Sequence, residues 1–248
     1  NKINIKSEKV LSKNSVDRIV SKNIYSPNNY PSADNTAFDG YAINCIETKN
    51  LNIKKIKKFR IIKTIAAGDS PIIKKIPKLS TIEVMTGAVI RKPFNTIIPV
   101  EQVKYFPNEK NPKFIVLNKQ YQKNEFIRFA GSDYKKGDLI IKKGDVIKPS
   151  HILAFKTLGI EKVLVKKKIK VIFYTTGNEI SNKSKIPSWK VRNSNSHYLK
   201  SYLKNFPIDF KEKKILRDND LLKFKKELNF CLKKRVDIVI TSGAVSAG

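Results

Sequence analysis

The chain has 248 residues, and its 51 Lys and Arg outnumber its 21 Asp and Glu to give a formal charge of +30. No apolar run reaches the roughly 18 residues of a membrane span, no signal-peptide pattern opens the chain, and Cys45 and Cys231 form no CxxC pair, so a soluble cytoplasmic protein without a zinc site or disulfide framework is expected. Only seven basic residues are Arg, and Lys is scattered in short clusters such as Lys54-Lys55 and Lys166-Lys167-Lys168, which favours a solvated surface over a nucleic-acid or membrane partner.

The first informative segment is Asp34 to Ala42. Asp34 and Asn35 favour turn backbone through local side-chain hydrogen bonds, and Gly40 is expected to take positive φ just before Tyr41-Ala42-Ile43. Asp39 then sits where a turn meets a strand, presented to solvent; an Asx turn opening a hairpin is the plain alternative. Strands are expected at Arg60 to Ala66, Thr81 to Met85, Thr96 to Val100 and Lys113 to Leu117, separated by Gly, Pro, Asn and Asp clusters. The repeat Lys135 to Ile140 and Lys142 to Ile147 reads as two strands with Gly-Asp turns. Pro149-Ser150 starts a helix with Ile152, Leu153 and Phe155 on its apolar face, and Gly159 stops it.

From Lys168 the pattern becomes strand and helix in alternation. Ile169 to Thr175 is a buried strand, Ser196 to Asn205 a helix capped by Asn195 or Ser196, and Phe210 to Leu216 a second strand. Leu221 to Lys234 follows as a helix with Leu221, Leu222, Lys225, Leu228 and Leu232 along one side, and Val236 to Ile240 is the third strand. This order predicts an α/β fold with a parallel sheet. Ligands of such sheets lie beyond the carboxyl ends of the strands, where Thr175 to Glu179, Arg217 to Asp220 and Thr241 to Gly248 fall. The small residues of the last loop allow backbone N–H groups to approach a phosphate, and Thr241, Ser242 and Ser246 add hydroxyls. A carboxylate beside a phosphate is repulsive without a cation, so Glu179 and Asp218 point to Mg2+; Asp218 or Asp220 acting as a plain helix cap is the competing reading. His151 and His197 fall on expected helices, and no Ser/His/Asp or Cys/His grouping emerges.

Six segments carry a resemblance. Asp34 to Ala42 is similar to the DNSAMDGYA signature of the MoeA-type molybdopterin molybdenumtransferases, the family of the gephyrin E-domain. Met85 to Ala88 resembles its MTGA, Ile127 to Asp133 its IRxAGxD, Thr176 to Glu179 its TGDE, Ser194-Asn195 its SN, and Thr241 to Gly248 its TSGGVSVG. The resemblance implies an enzyme that inserts molybdate into adenylylated molybdopterin with Mg2+ and releases AMP, working on small molecules as a homodimer when full length. It implies catalytic roles for Asp39, Thr86, Glu179 and Asp218, with Glu179 and Asp218 holding the metal. Thr176, Gly177, Ser194, Asn195, Thr241, Ser242, Gly243 and Ser246 match its ligand-binding positions. Asn178 stands where the family has Asp, which weakens its claim on a cation. The implied architecture is a linking domain from residues 1–25 and 131–167, a β-rich inserted domain at 26–130, and an incomplete MogA-like molybdopterin-binding domain at 168–248. Since the family is longer at both ends, the chain is expected to be a fragment, inactive alone. A basic nucleic-acid-binding module and a molybdopterin adenylyltransferase are the alternatives.

Overall fold

The Ile- and Val-rich runs of the first half assemble into one six-stranded mixed sheet. Its spatial order is Thr96–Pro99, Gly40–Ile43, Ser80–Val84, Lys57–Ile65, Phe114–Leu117 and Lys104–Phe106. Lys57–Ile65 runs parallel to Ser80–Val84, and the other neighbours are antiparallel. In the computed structural model, which describes residues 5–243, this sheet is the centre of a unit spanning Tyr25–Asp138. Asn1–Ile24 and Leu139–Gly248 form a second unit.

Strand alternation sends Tyr41, Ile43 and Ile98 into one apolar cluster with Phe59 and Ile115, and Ala42 and Ile97 into another with Ile82 and Val84. Gly40–Ile43 and Thr96–Pro99 are therefore buried throughout, as strands covered on both faces must be. Gly40 is required here for a different reason from the expected positive φ, which it does not adopt. A Cβ at this position would lie 2.2 Å from the Ile98 carbonyl oxygen, so the two strands pass too closely for any side chain. Where the chain enters and leaves this unit, the Ser26 N–H donates to Asp138 O at 2.8 Å and the Gly137 N–H donates to Ser26 O at 2.8 Å.

In the second unit, Ser7–Leu11 pairs antiparallel with Lys162–Lys166. Helix Pro149–Thr157 sets Phe155 among Val20, Ile141, Ile147, Val163 and Val165. Leu153, expected on the apolar face, is 72 % exposed, and Ala154, Phe155 and Leu158 take the inner side. Only one copy of the Lys-Lys-Gly-Asp repeat makes a strand, Leu139–Ile141; the other reduces to a single bridge between Val146 and Ile19. Both copies do turn at glycines with positive φ, Gly137 and Gly144.

The rest of this unit is the expected parallel sheet, in spatial order Ile208–Glu212, Ile169–Thr175, Ile238–Ser242. Helices Asn195–Tyr202 and Leu221–Lys233 connect the strands. The first of these has Ser194 at its N-cap in place of the expected Asn195 or Ser196, and the Ser194 side chain makes no cap bond. The second strand ends at Glu212, short of the expected Leu216, which returns only as a single parallel bridge to Thr176. The leucine stripe of the long helix faces outward, with Leu222 82 % and Leu232 75 % exposed. The face one position round the helix packs instead: Cys231 and Phe224 meet Ile172, Tyr174 and Leu216, and the Tyr174 hydroxyl donates to Glu227 Oε2 at 2.9 Å. That contact, the Cys231 thiol and burial together push the Tyr174 pKa upward, burial most of all.

Candidate active site

Two clusters of chemistry-bearing residues stand out, one in each unit. In the α/β unit three strand ends meet. After Thr175 the chain makes a tight turn in which the Thr176 N–H donates to Ser242 O at 3.0 Å and the Gly177 N–H to Leu216 O at 3.1 Å. The Thr176 hydroxyl also donates to Ser242 O. Asn178 N–H then donates to Asp218 Oδ2 at 3.2 Å. Hence the loops Thr176–Glu179, Arg217–Asp218 and Ser242–Gly243 are bonded to one another, as expected of a crevice beyond the carboxyl ends of parallel strands.

The same bonds reassign some residues. Thr176 and Gly177 spend their donors closing the turn, so they shape the crevice and do not offer N–H groups to an anion. Gly177 has φ +135, and a Cβ there would come within 2.6 Å of Glu179 Oε1 and 2.8 Å of Oε2. The Glu179 carboxylate thus folds over the space that a side chain at Gly177 would fill, and no described residue donates a hydrogen bond to it. Asp220 caps helix Leu221–Lys233 by accepting from the Lys223 N–H at 3.0 Å, which leaves Asp218 free of that duty. Among the described residues no group of three or more His, Cys, Asp or Glu could hold a metal ion. Mg2+ needs only one or two carboxylates and completes its shell with ligand oxygens and water, so Glu179 and Asp218 are the residues here that could hold one.

Three braces of this crevice escaped the sequence reading. Arg217 Nη1 donates to the carbonyl oxygens of Gly177 at 3.0 Å, Asn178 at 2.9 Å and Ile180 at 3.2 Å. Lys190 Nζ donates to Asn178 O at 2.6 Å. Buried Asn193 accepts from the Thr175 hydroxyl at 3.1 Å and donates to Asn182 Oδ1 and to Glu212 Oε1. Its neighbours Ser194 and Asn195, expected to bind ligand, are exposed and have no side-chain hydrogen bond to the three loops among the described residues. Arg217 adjoins a flagged acid, which was the available signal; Asn193 had none. Thr241 is exposed and Ser242 half-buried, both at the end of the third strand. Ser246 lies outside the described residues.

In the sheet unit, Asp39 and Thr86 are brought together. Asp39 Oδ1 accepts from the Thr86 N–H at 2.6 Å and from its hydroxyl at 2.7 Å. The hydroxyl bond, then the backbone bond, lower the Asp39 pKa and keep an exposed carboxylate ionised. Two further bonds interlock these segments: Thr36 N–H donates to Ala88 O and Gly87 N–H to Thr36 O, both at 3.0 Å. Ile127–Arg128 pairs with Asn35–Thr36 on the other side, and Asp34 Oδ1 accepts from the Ala130 N–H at 2.8 Å. Segments 34–42, 85–88 and 127–133 are therefore one structure, edged by exposed Phe38 and Phe126 in edge-to-face contact at 5.2 Å. The two histidines play no part: His151 accepts from the Lys148 N–H at its helix start, and His197 is exposed.

Two family models together span most of the chain. Residues 1–159 match the model of the MoeA N-terminal region (domain I and II), and residues 172–248 match that of a probable molybdopterin binding domain. The molybdopterin molybdenumtransferase of Haemophilus influenzae is 30 % identical over 234 residues, covering 94 % of this chain and 55 % of the relative. That of Staphylococcus aureus is 28 % identical over 238 residues, covering 94 % and 54 %. A crystal structure of the molybdopterin biosynthesis moeA protein from Pyrococcus horikoshii OT3 superposes with a TM-score of 0.81 at 28 % identity, over 97 % of this chain and 62 % of that one. The chain spans about half the length of the curated relatives it matches.

Proposed function

The chain belongs to the MoeA-type family of molybdopterin molybdenumtransferases, and from that premise we propose that it forms part of an enzyme of molybdenum cofactor biosynthesis that inserts molybdate into adenylylated molybdopterin and releases AMP. The observation that carries this reading is the bonding of the Thr176, Asp218 and Ser242 loops to one another at the ends of three parallel strands. In this reading residues 168–248 supply the molybdopterin-binding domain. Glu179 and Asp218 would hold Mg2+, and Thr241, Ser242 and Gly243 would offer hydroxyl and backbone donors to the phosphates; Ser246 joins them on its motif alone. Bound there, Mg2+ would supply neutralisation of phosphate charge. Arg217 and Asn193 keep the two loops in register by bonding their backbone and side chains. Asp39 and Thr86 serve the same reaction from the sheet unit, and we assign them to the crevice of a partner subunit in a cytoplasmic homodimer. Little acid–base work is required, because molybdate is already an oxyanion and the dithiolene sulfurs are strong nucleophiles; positioning and charge neutralisation suffice.

The test uses a full-length enzyme carrying these residues, supplied with adenylylated molybdopterin, Mg2+ and molybdate. AMP release that depends on molybdate is expected. Glu179→Gln and Asp39→Asn should each lower it by about a hundredfold or more, the scale of losing one preorganised charged group. Mixing the two inactive variants should restore turnover, since one subunit then supplies each intact half. Near-normal rates in both variants, or AMP release indifferent to molybdate, would overturn the assignment.

A further inference from the structure

The second unit carries a basic cavity at the opposite end of its parallel strands from Glu179 and Asp218. It is an open concavity of about 530 Å³, lined from Lys170, Ile208 and Asp209 at the strand starts, from Lys200 and Lys204 on the helix side, and from Arg18. Lys170 and Thr175 are the second and last residues of one strand, so the cavity and the candidate active site lie roughly 17 Å apart along it.

The lining, which also takes in Lys167 and Lys168, brings six basic side chains against two carboxylates, Glu8 and Asp209. Both carboxylates are engaged: Glu8 with Arg18 at 2.5 Å, and Asp209 with Lys211, outside the lining, at 3.6 Å. None of the five lining ammonium groups has a carboxylate partner among the described residues. Lys is abundant over the whole surface, so number alone means little here. What distinguishes this place is concavity. The Arg18 side chain is 7 % exposed; its Nη2 donates to Glu8 Oε1 and to Lys166 O, while its buried Nε has no partner among the described residues. Arg18 and Glu8 neutralise each other, so the five ammonium groups without carboxylate partners are left as a concave cluster of positive charge, which a multiply charged anion matches. Leu203, Ile208 and Phe210 add an apolar wall, Phe210 being held against Phe173 at 6.2 Å. The volume falls in the range of small-molecule pockets, and a polymer would call for an open stripe in its place.

We infer that this cavity binds a small di- or triphosphate, free or as a nucleotide, at a site separate from the catalytic crevice. The test titrates inorganic pyrophosphate and ADP into the protein in EDTA, following backbone amides by NMR, in the wild type and in Glu179→Gln. EDTA withholds the divalent ion that the crevice needs, so a signal that survives both EDTA and Glu179→Gln belongs to the new site. The inference predicts saturable shifts centred on Lys168, Lys170 and Lys204. It also predicts about tenfold weaker binding in Lys200→Gln and in Lys204→Gln, equivalent to one charge-assisted hydrogen bond each, at unchanged melting temperature. Tighter binding of ADP than of pyrophosphate identifies a nucleotide whose base uses the Phe210 wall; equal binding identifies the free diphosphate. Absence of saturation at millimolar ligand, shifts of equal size at remote lysines such as Lys54 and Lys142, or a ten-nucleotide single strand that outbinds ADP would each overturn it.

Discussion

Gly177→Ala tests the local logic of the candidate active site most directly. With φ +135, an L side chain at this position is held in a sparsely populated region, at a cost of about 1–3 kcal/mol. The turn has little freedom to escape that cost, because the Gly177 N–H is bonded to Leu216 O and its carbonyl to Arg217 Nη1. The new Cβ would also stand 2.6 Å from Glu179 Oε1, where only the flexible carboxylate can yield. Two effects therefore follow: a backbone penalty on the α/β unit, and displacement of Glu179 from its pose. Urea unfolding followed by emission of Trp189, the sole tryptophan and a member of this unit, reads the first. Repeating the substitution in a Glu179→Ala background removes the steric contact and retains the backbone strain, so about 1–3 kcal/mol should persist there. An unchanged midpoint in the single variant, or a loss that vanishes in the double variant, would refute the reasoning.

Gly40→Ala should be harsher, since its Cβ would meet the Ile98 carbonyl oxygen at 2.2 Å and neither backbone can swing aside; a loss of about 3 kcal/mol or more is expected from the melting of the sheet unit, and a shift of a few tenths would contradict it. Arg217→Met removes three carbonyl contacts that are largely exposed, so about 1–2 kcal/mol is expected, read as faster hydrogen exchange at the amides of Gly177 and Asn178; unchanged protection would show the brace to be idle. For Asp39 the folded pKa is depressed, so the Thr86 contact is stabilising above the ordinary value of 3.8 and is lost as pH falls through the lowered folded value. NMR titration of the Asp39 carboxyl should give a midpoint below 3.8, and Thr86→Val should return it towards that value; equal midpoints in both would remove the proposed cause.

Strand placement was legible where apolar residues dictated it: Ile169–Thr175 and Thr96–Pro99 are runs that no solvated element could carry. Convergence of the three polar loops was legible too, because it follows from parallel topology. The packed face of helix Leu221–Lys233 was not. Leu221, Leu228 and Leu232 satisfy a helical period as well as Phe224, Glu227 and Cys231 do, and a tertiary contact, Tyr174 to Glu227, lies on the inner side. Composition cannot weigh that bond against another leucine. Gly40 illustrates a second limit: a glycine can serve φ or close approach, and only the neighbouring strand says which. Within the site, acids and glycines announced themselves by residue type. Arg217, Lys190 and Asn193 did not, because a polar side chain that braces backbone carries no periodic or compositional mark.

The bonds from Ser26 N–H to Asp138 O and from Gly137 N–H to Ser26 O, with Gly137 at positive φ, form a bulge that holds the two threads of the sheet unit side by side at hydrogen-bonding spacing. Such spacing makes the unit an excisable cassette. Residues 27 to 136 can be replaced by a two-residue Asn-Gly hairpin loop without stretching the flanking chain, since a turn of that length spans this gap. The remaining half retains its own two apolar cores, around Phe155 and around Tyr174, and so offers a minimal receptor on which phosphate binding is measured free of Asp39 and Thr86.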